Sequence, residues 1–255
     1  MCLILLAVDS HPDYELILAG NRDEYYHRPT APSGFWPGTT GLLAGRDLSG
    51  GGTWFGVTRT GRWATVSNVR DQIPPPPSAR SRGLLVTDFL AGNDRPADFL
   101  EKTAEQKSSY AGFNLLVGEG TEAGYYSNRE DFNRALKPGL YAVSNHLLDT
   151  PWPKVTSTKE GFRRVLSRPR FSPEDLFRIM ADTEPATDDR LPDTGIGRER
   201  ERLLSPPFVL APVYGTRSTT LFLLDRGGRA AWFERRFKGA PGHWRESRYR
   251  FLRSG

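Results

Sequence analysis

Residues 2–8 read CLILLAV, the longest apolar run in the chain, and no other stretch narrows the possible folds so far. The run is far shorter than the ~20 residues that cross a bilayer. It is followed by the turn-rich DSHPDY and then by ELILA at 15–19, a pattern that predicts two consecutive strands. The first is apolar enough to be buried on both faces. A strand of that kind belongs inside a sheet covered on both sides.

A chain of 255 residues with 37% hydrophobic and 11% aromatic residues can bury one large core, so residues 1–255 are expected to form a single domain. The net charge of +5 arises from 35 basic and 30 acidic residues interspersed along the chain. No block of like charge points to nucleic acid as a partner. The densest basic stretch, Arg235 to Arg253, contains Phe237, Trp244, Tyr249 and Phe251; residues 238–255 read as a basic, aromatic C-terminal extension. No secretory pattern precedes the first strand and no transmembrane segment appears, so a soluble, cytoplasmic protein is expected. The one cysteine excludes an internal disulfide, a CxxC metal site and a CxxCH haem attachment. No metal ligand set is expected, and oligomeric state is not legible.

Strands are predicted again at 53–58 and 63–67 around a turn at Gly61, and at 113–118, 123–127 and 140–144. A last hairpin is predicted at 219–224 and 230–234. Helical spacing appears at 84–90, 96–105 and 154–167, and a further helix starts at Ser172 with Pro173 in its first turn. The proline-rich 73–83 reads as an exposed loop, and the polar 183–207 as a long mobile one. Strands at both ends with helices between predict a layered α+β domain.

Cys2 becomes the N-terminal residue if Met1 is removed. Nucleophile and base then belong to one residue, since the α-amine (pKa about 7.7–8.0) can take the proton of the thiol (about 8.5) near neutrality. If Met1 is retained, that mechanism fails. Supporting groups stand at strand ends: Arg22 and Asp23 after the second strand, Asn68 after RWATVS, Asn145 after LYAVS, and Arg217 before STTLFLL. An Asn amide can stabilise an oxyanion, an arginine near Cys2 favours thiolate, and Asp23 can hold the α-amine. Each residue alone reads equally as a turn or surface group.

Taken together, MCLILLA, GNRDE, RPT, GGTWFGV, VSNVRD, YAVSNHLLDTPWPKV and YGTRSTT resemble the NRDE family, also called the transport-and-Golgi-organisation-two family, from residue 1 to about 237. The resemblance implies the four-layer αββα sandwich of N-terminal-nucleophile hydrolases. It also implies links to haem trafficking and to lipid or acyl-CoA homeostasis. The fold is similar to that of cysteine acylases that cleave penicillin V and conjugated bile acids, whose site residues map onto Arg22, Asp23, Asn68, Asn145 and Arg217. In those enzymes the first Arg and the Asp are separated, whereas here they are adjacent and would face opposite sides of a continuing strand. Either the chain turns at once, Glu24 supplies the carboxylate, or the site has been repurposed. Asn21 and Glu24 then line the rim of the Cys2 pocket.

Two functions compete. In the first, Cys2 attacks an amide or thioester carbonyl and water releases the acid, with no cofactor required. In the second, a non-catalytic carrier binds haem or acyl-CoA in the same cleft, lined by Trp36, Trp54 and Trp152. For haem, Cys2, His11, His27, His146 or His243 are the candidate axial ligands, and His146 is favoured by its place beside Asn145. A scaffold role rests only on the basic C-terminal segment.

Overall fold

The N-terminal strand is buried because it has a strand on each side and a layer over each face. The computed structural model describes residues 3–39 and 41–254. β1 (Leu3–Val8) pairs antiparallel with β2 (Tyr14–Tyr25) on one side and β10 (Gly139–Val143) on the other, and all six of its residues are buried. Beyond β2 the sheet continues through β11 (Tyr214–Asp225), β12 (Arg229–Phe237) and β13 (Trp244–Leu252). A second antiparallel sheet runs in chain order, interrupted only by helices, from β3 (Thr30–Phe35) and β4 (Leu43–Asp47) through β5 (Phe55–Val57) and β6 (Arg62–Asn68). It ends with β7 (Phe113–Glu119), β8 (Glu122–Ser127) and β9 (Phe132–Leu136).

Strand alternation divides each strand between two layers. Ile4, Leu6, Val8, Leu16 and Leu18 pack between the sheets against Trp63, Leu116, Phe222 and Trp232. Leu3, Leu5, Ala7, Ile17 and Ala19 face the other way, onto α3 (Pro153–Leu166) and α4 (Pro173–Met180), through Phe162, Leu176, Phe177 and Met180. On the outer face of the second sheet, α1 (Gly83–Ala91) and α2 (Pro96–Glu105) bury Val86, Phe89, Phe99 and Leu100 against Leu115, Val117 and Tyr126. The result is the four-layer αββα sandwich that the family resemblance implies.

The helix starts follow their caps. Pro173 occupies the first turn of α4, and the Ser172 N–H and hydroxyl donate to Asp175 Oδ2 at 2.9 and 2.8 Å, a side-chain cap of orphan backbone groups. Gly61 turns the β5–β6 hairpin at φ +89°, a backbone geometry that glycine adopts without strain.

Three segments differ from their sequence reading. β2 does not end at residue 19 but runs through Asn21, Arg22 and Asp23 to Tyr25. Residues 183–207 are not one unbroken loop: they contain a 3₁₀ turn at Asp188–Arg190 and α5 (Arg198–Leu203). The buried Glu201 pins this stretch by accepting from Arg70 Nη1 at 2.6 Å and from the Thr194 N–H at 2.9 Å. The basic C-terminal segment includes an integral strand. β13 pairs with β12 along its length, and Arg235 bridges the two strands to α4, bonding Glu246 at 2.8 Å and Glu174 at 2.5 Å while lying 3.8 Å over the Phe177 ring. Among the described residues no helix is long and apolar enough to cross a membrane.

Candidate functional site

Because β2 continues as a strand, its polar end splits between two layers. Arg22 and Glu24 follow Leu16 and Leu18 toward the space between the sheets, whereas Asn21 and Asp23 follow Ile17 and Ala19 toward the helices. The chain therefore does not turn to bring Arg22 and Asp23 onto one face. Arg22 is 3% exposed. It donates to Thr30 Oγ1 and Asp47 Oδ2, both at 3.3 Å, and lies 4.4 Å over the Trp54 ring. That indole crosses β4 at Gly45, where a Cβ would come within 2.5 Å of it. Burial pulls the Arg22 pKa down, and the charges of Glu24 and Asp47 oppose the shift. Burial also acts to raise the Asp47 carboxyl, but a 2.8 Å bond from Arg28 Nε, the Gly50 N–H and the two guanidinium charges hold it below the ordinary carboxylate range.

On the other face, Asp23 Oδ1 accepts the Thr216 hydroxyl at 2.6 Å, and Thr216 Oγ1 accepts the Val209 N–H at 2.9 Å. Asn21 is fully buried; its amide donates to the Met180 and Pro207 carbonyls at 2.8 and 2.9 Å and accepts from Thr219 at 2.6 Å. Its amide hydrogens are thus committed to the end of α4 at Met180 and to the segment at Pro207, so this expected rim residue acts as a strut.

Asn68 and Asn145 approach Asp23 from opposite sheets. Asn145 Nδ2 donates to the Asn68 carbonyl at 3.0 Å, and the Arg70 N–H donates to the Asn145 carbonyl at 2.7 Å. A buried network fixes the turn that carries Asn145. Ser67 donates to the Ser144 carbonyl at 2.8 Å, Asn114 to the His146 carbonyl at 2.8 Å, and Tyr125 to Asn114 Oδ1 at 2.7 Å; the Leu148 N–H donates to the Tyr125 hydroxyl. Burial, opposed by the Leu148 N–H, pushes the Tyr125 phenol up to about 12.

Asp23, Asn68 and Asn145 share a groove of about 350 Å³ with Arg70 and Lys154. Arg22, Asp23, Glu24 and Asn68 share the adjoining groove of about 400 Å³ with Arg28, Asp47 and Trp54. Arg217 lies elsewhere. It is the extra residue of a β-bulge between Thr216 and Ser218, a device that re-aims a side chain, and its Nη1 donates to the Tyr25 and Arg28 carbonyls at 2.7 and 3.2 Å. It meets Arg22 and Trp54 only in a third cavity, of about 370 Å³. The predicted set is therefore contiguous through Arg22 and Asp23 rather than gathered in one pocket. Cys2, the expected nucleophile, lies outside the described residues; the described chain begins at Leu3, in register with Asn21.

The sequence of this chain carries the family pattern described as Transport and Golgi organisation 2 over residues 1–239. A relative from Bos taurus, the Transport and Golgi organization protein 2 homolog, is 35% identical over 277 residues, spanning 98% of this chain and 99% of its own length. The chain belongs to the Transport and Golgi organisation 2 family. Its fold is shared with solved hydrolases. The Caenorhabditis elegans N-acylethanolamine-hydrolyzing acid amidase (NAAA) ortholog aligns at a TM-score of 0.53 and 11% identity, covering 87% of this chain and 92% of the amidase. A mutant conjugated bile acid hydrolase from Clostridium perfringens aligns at 0.52 and 7% identity, covering 99% and 98%. The family member described here therefore has the N-terminal-nucleophile hydrolase fold.

Other expected residues are dispersed. Trp36, Trp54 and Trp152 do not line one cleft: Trp54 packs between the sheets, Trp152 under α3, and Trp36 against the outer layer of the second sheet. His146 Nδ1 is paired with Thr150 Oγ1 at 2.9 Å, and its ring lies 5.7 Å from Trp152. His11 is buried beside Tyr14 and Phe171 at the β1–β2 turn, where burial lowers its pKa. His27 is exposed, and His243 lines the third cavity. Among the described residues no group of three His, Cys, Asp or Glu side chains is placed to hold a metal ion. Sequence reasoning missed Asp47, Tyr125, Asn114 and Glu234. Glu234 had a usable signal, a carboxylate two positions from an inward-facing tryptophan in the strand AAWFERRF.

Proposed function

We propose that this chain is a cysteine N-terminal-nucleophile hydrolase that cleaves an amide or thioester bond through an acyl-enzyme at Cys2. The observation that carries the reading is the groove in which Asp23, Asn68 and Asn145 converge from three separate elements, next to a strand that begins one residue after Cys2. The amidase-type fold supports it. Asn145 has a second amide hydrogen beyond the one given to Asn68, which suits stabilisation of a developing oxyanion. Arg22, buried and charge-paired, favours thiolate in its neighbourhood.

The alternative is non-catalytic carriage of haem or acyl-CoA. For haem, the described histidines are otherwise placed: His11 is packed beside Tyr14 and Phe171 at the far turn, His27 is exposed, His146 is paired with Thr150, and His243 lines the cation-rich cavity. The test compares wild type with Cys2→Ala on a panel of acyl amides and acyl thioesters, with acyl-CoA binding measured on both. Hydrolysis predicts turnover that the substitution abolishes with affinity largely kept. A carrier gives binding and no turnover with either protein.

A further inference from the structure

The third cavity opens between the sheets on the far side of the Arg22–Trp54 stack, and its chemistry differs from that of the grooves. Its floor is formed by inward-facing residues of β11 and β12. Glu234 is 1% exposed; its Oε1 accepts the Ser33 N–H at 2.9 Å, while Oε2 has no hydrogen-bond partner among the described residues. Ser218, 3% exposed on the neighbouring strand, has an equally unpartnered hydroxyl, and so does the buried Nε of Arg236. Buried polar groups in folded proteins are almost always satisfied, so three orphans lining one cavity mark a place built to bind.

The walls supply the sign of the charge. Most arginines of this chain are matched to carboxylates, yet Arg217, Lys238 and Arg245 have no ion-pair partner among the described residues, and all three line this cavity. Glu234, the carboxylate that lines the cavity, comes to 3.7 Å of a lining cation, Oε1 to Arg236 Nε. Burial raises the Glu234 pKa, with the Ser33 N–H and the Arg236 charge opposing the shift. Only Nη1 of Arg217 is used in holding Tyr25 and Arg28, so the rest of this half-buried guanidinium is left to the cavity wall. Unspent guanidinium donors match the geometry of carboxylate and phosphate oxygens. The volume lies within the range of small-molecule sites.

We propose that this cavity binds a small organic oxyanion, carboxylate or phosphate, held by Arg217, Arg236 and Lys238, with Ser218 and Glu234 receiving its polar body. The site does not depend on Cys2 acting as a nucleophile. Trp54 and Trp244 line it, so their fluorescence reports occupancy.

The test titrates pyrophosphate and, separately, succinate at low ionic strength into wild type and Cys2→Ala, with sodium chloride as the control. Expected are saturable binding of one equivalent, a rise in Tm with ligand, equal affinity in Cys2→Ala, and at least a tenfold loss in Arg236→Gln. Lys238→Gln, at an exposed position, provides a second variant should Arg236→Gln fold poorly. Tighter binding of pyrophosphate assigns a phosphate ligand, and tighter binding of succinate a carboxylate. No saturation by either anion, displacement by equal concentrations of chloride, or affinity unchanged in both variants would overturn the site. Saturable anion binding by a protein that turns over none of the acyl amides and thioesters would leave this site standing and count against the hydrolase alone.

Discussion

Glu234 and Tyr125 show how single buried polar groups set measurable properties. The folded chain holds a proton on Glu234 more tightly than the unfolded chain does, because burial raises the carboxyl above its ordinary value of 4.5. The stability contribution is therefore fully present below pH 4.5 and is lost as pH rises through the folded pKa. Glu234→Gln keeps the acceptor for the Ser33 N–H and removes the titration. Thermal melts should show the variant gaining on wild type as pH rises above 4.5, with little difference below; parallel curves would contradict the assignment. Tyr125→Phe removes the donor to Asn114 and the acceptor of the Leu148 N–H, leaving two buried groups unpaired. A loss of about 1–3 kcal/mol is expected in urea unfolding. Because that network carries the Asn145 turn, amide exchange should also accelerate at residues 144–149.

Elements with long apolar runs or clear caps are legible in the sequence, whereas elements at the margins and the short interior strand β4, which buries only Leu43, Ala44 and Gly45, are not. β1 declared itself because every residue is apolar, and α4 because Ser172 and Pro173 mark its start. β3 and β9 are sheet edges with half-exposed residues and little alternation, and β3 contains Pro32, which edge strands tolerate. The polar end of β2 looked like a strand exit, since NRDEY is charged, yet β11 pairs with it as far as Tyr25. Asp23, Asn68 and Asn145 could be named from strand ends, but the position of Arg217 depends on a bulge that no local residue signals. β13 reads as an extension in the sequence because its inward residues, Tyr249 and Phe251, alternate with arginines. Those two rings pack on Phe35 across the sandwich. Deleting residues 241–255 should cost about 2 kcal/mol or more, lowering Tm by about 4–8 °C. It should also expose the β12 edge to self-association, visible by size-exclusion chromatography. A truncated chain that stays monomeric with an unchanged Tm would show that β13 is dispensable.

At the scale of the whole molecule, two sheets and their outer helices deliver residues from β2, from β6 and from the turn after β10 to one end of the sandwich. A groove and a cation-lined cavity lie there on either side of the Arg22–Trp54 stack. The central claim is that this end works through the thiol and free amine of Cys2. The most direct measurement is the intact mass of the protein, alone and acid-quenched during turnover of an acyl thioester. We predict a chain lacking Met1 that gains the mass of one acyl group, mapped to Cys2 by fragmentation and absent in Cys2→Ala. A chain that retains Met1 and gains no acyl mass, or undiminished turnover by Cys2→Ala, would contradict it.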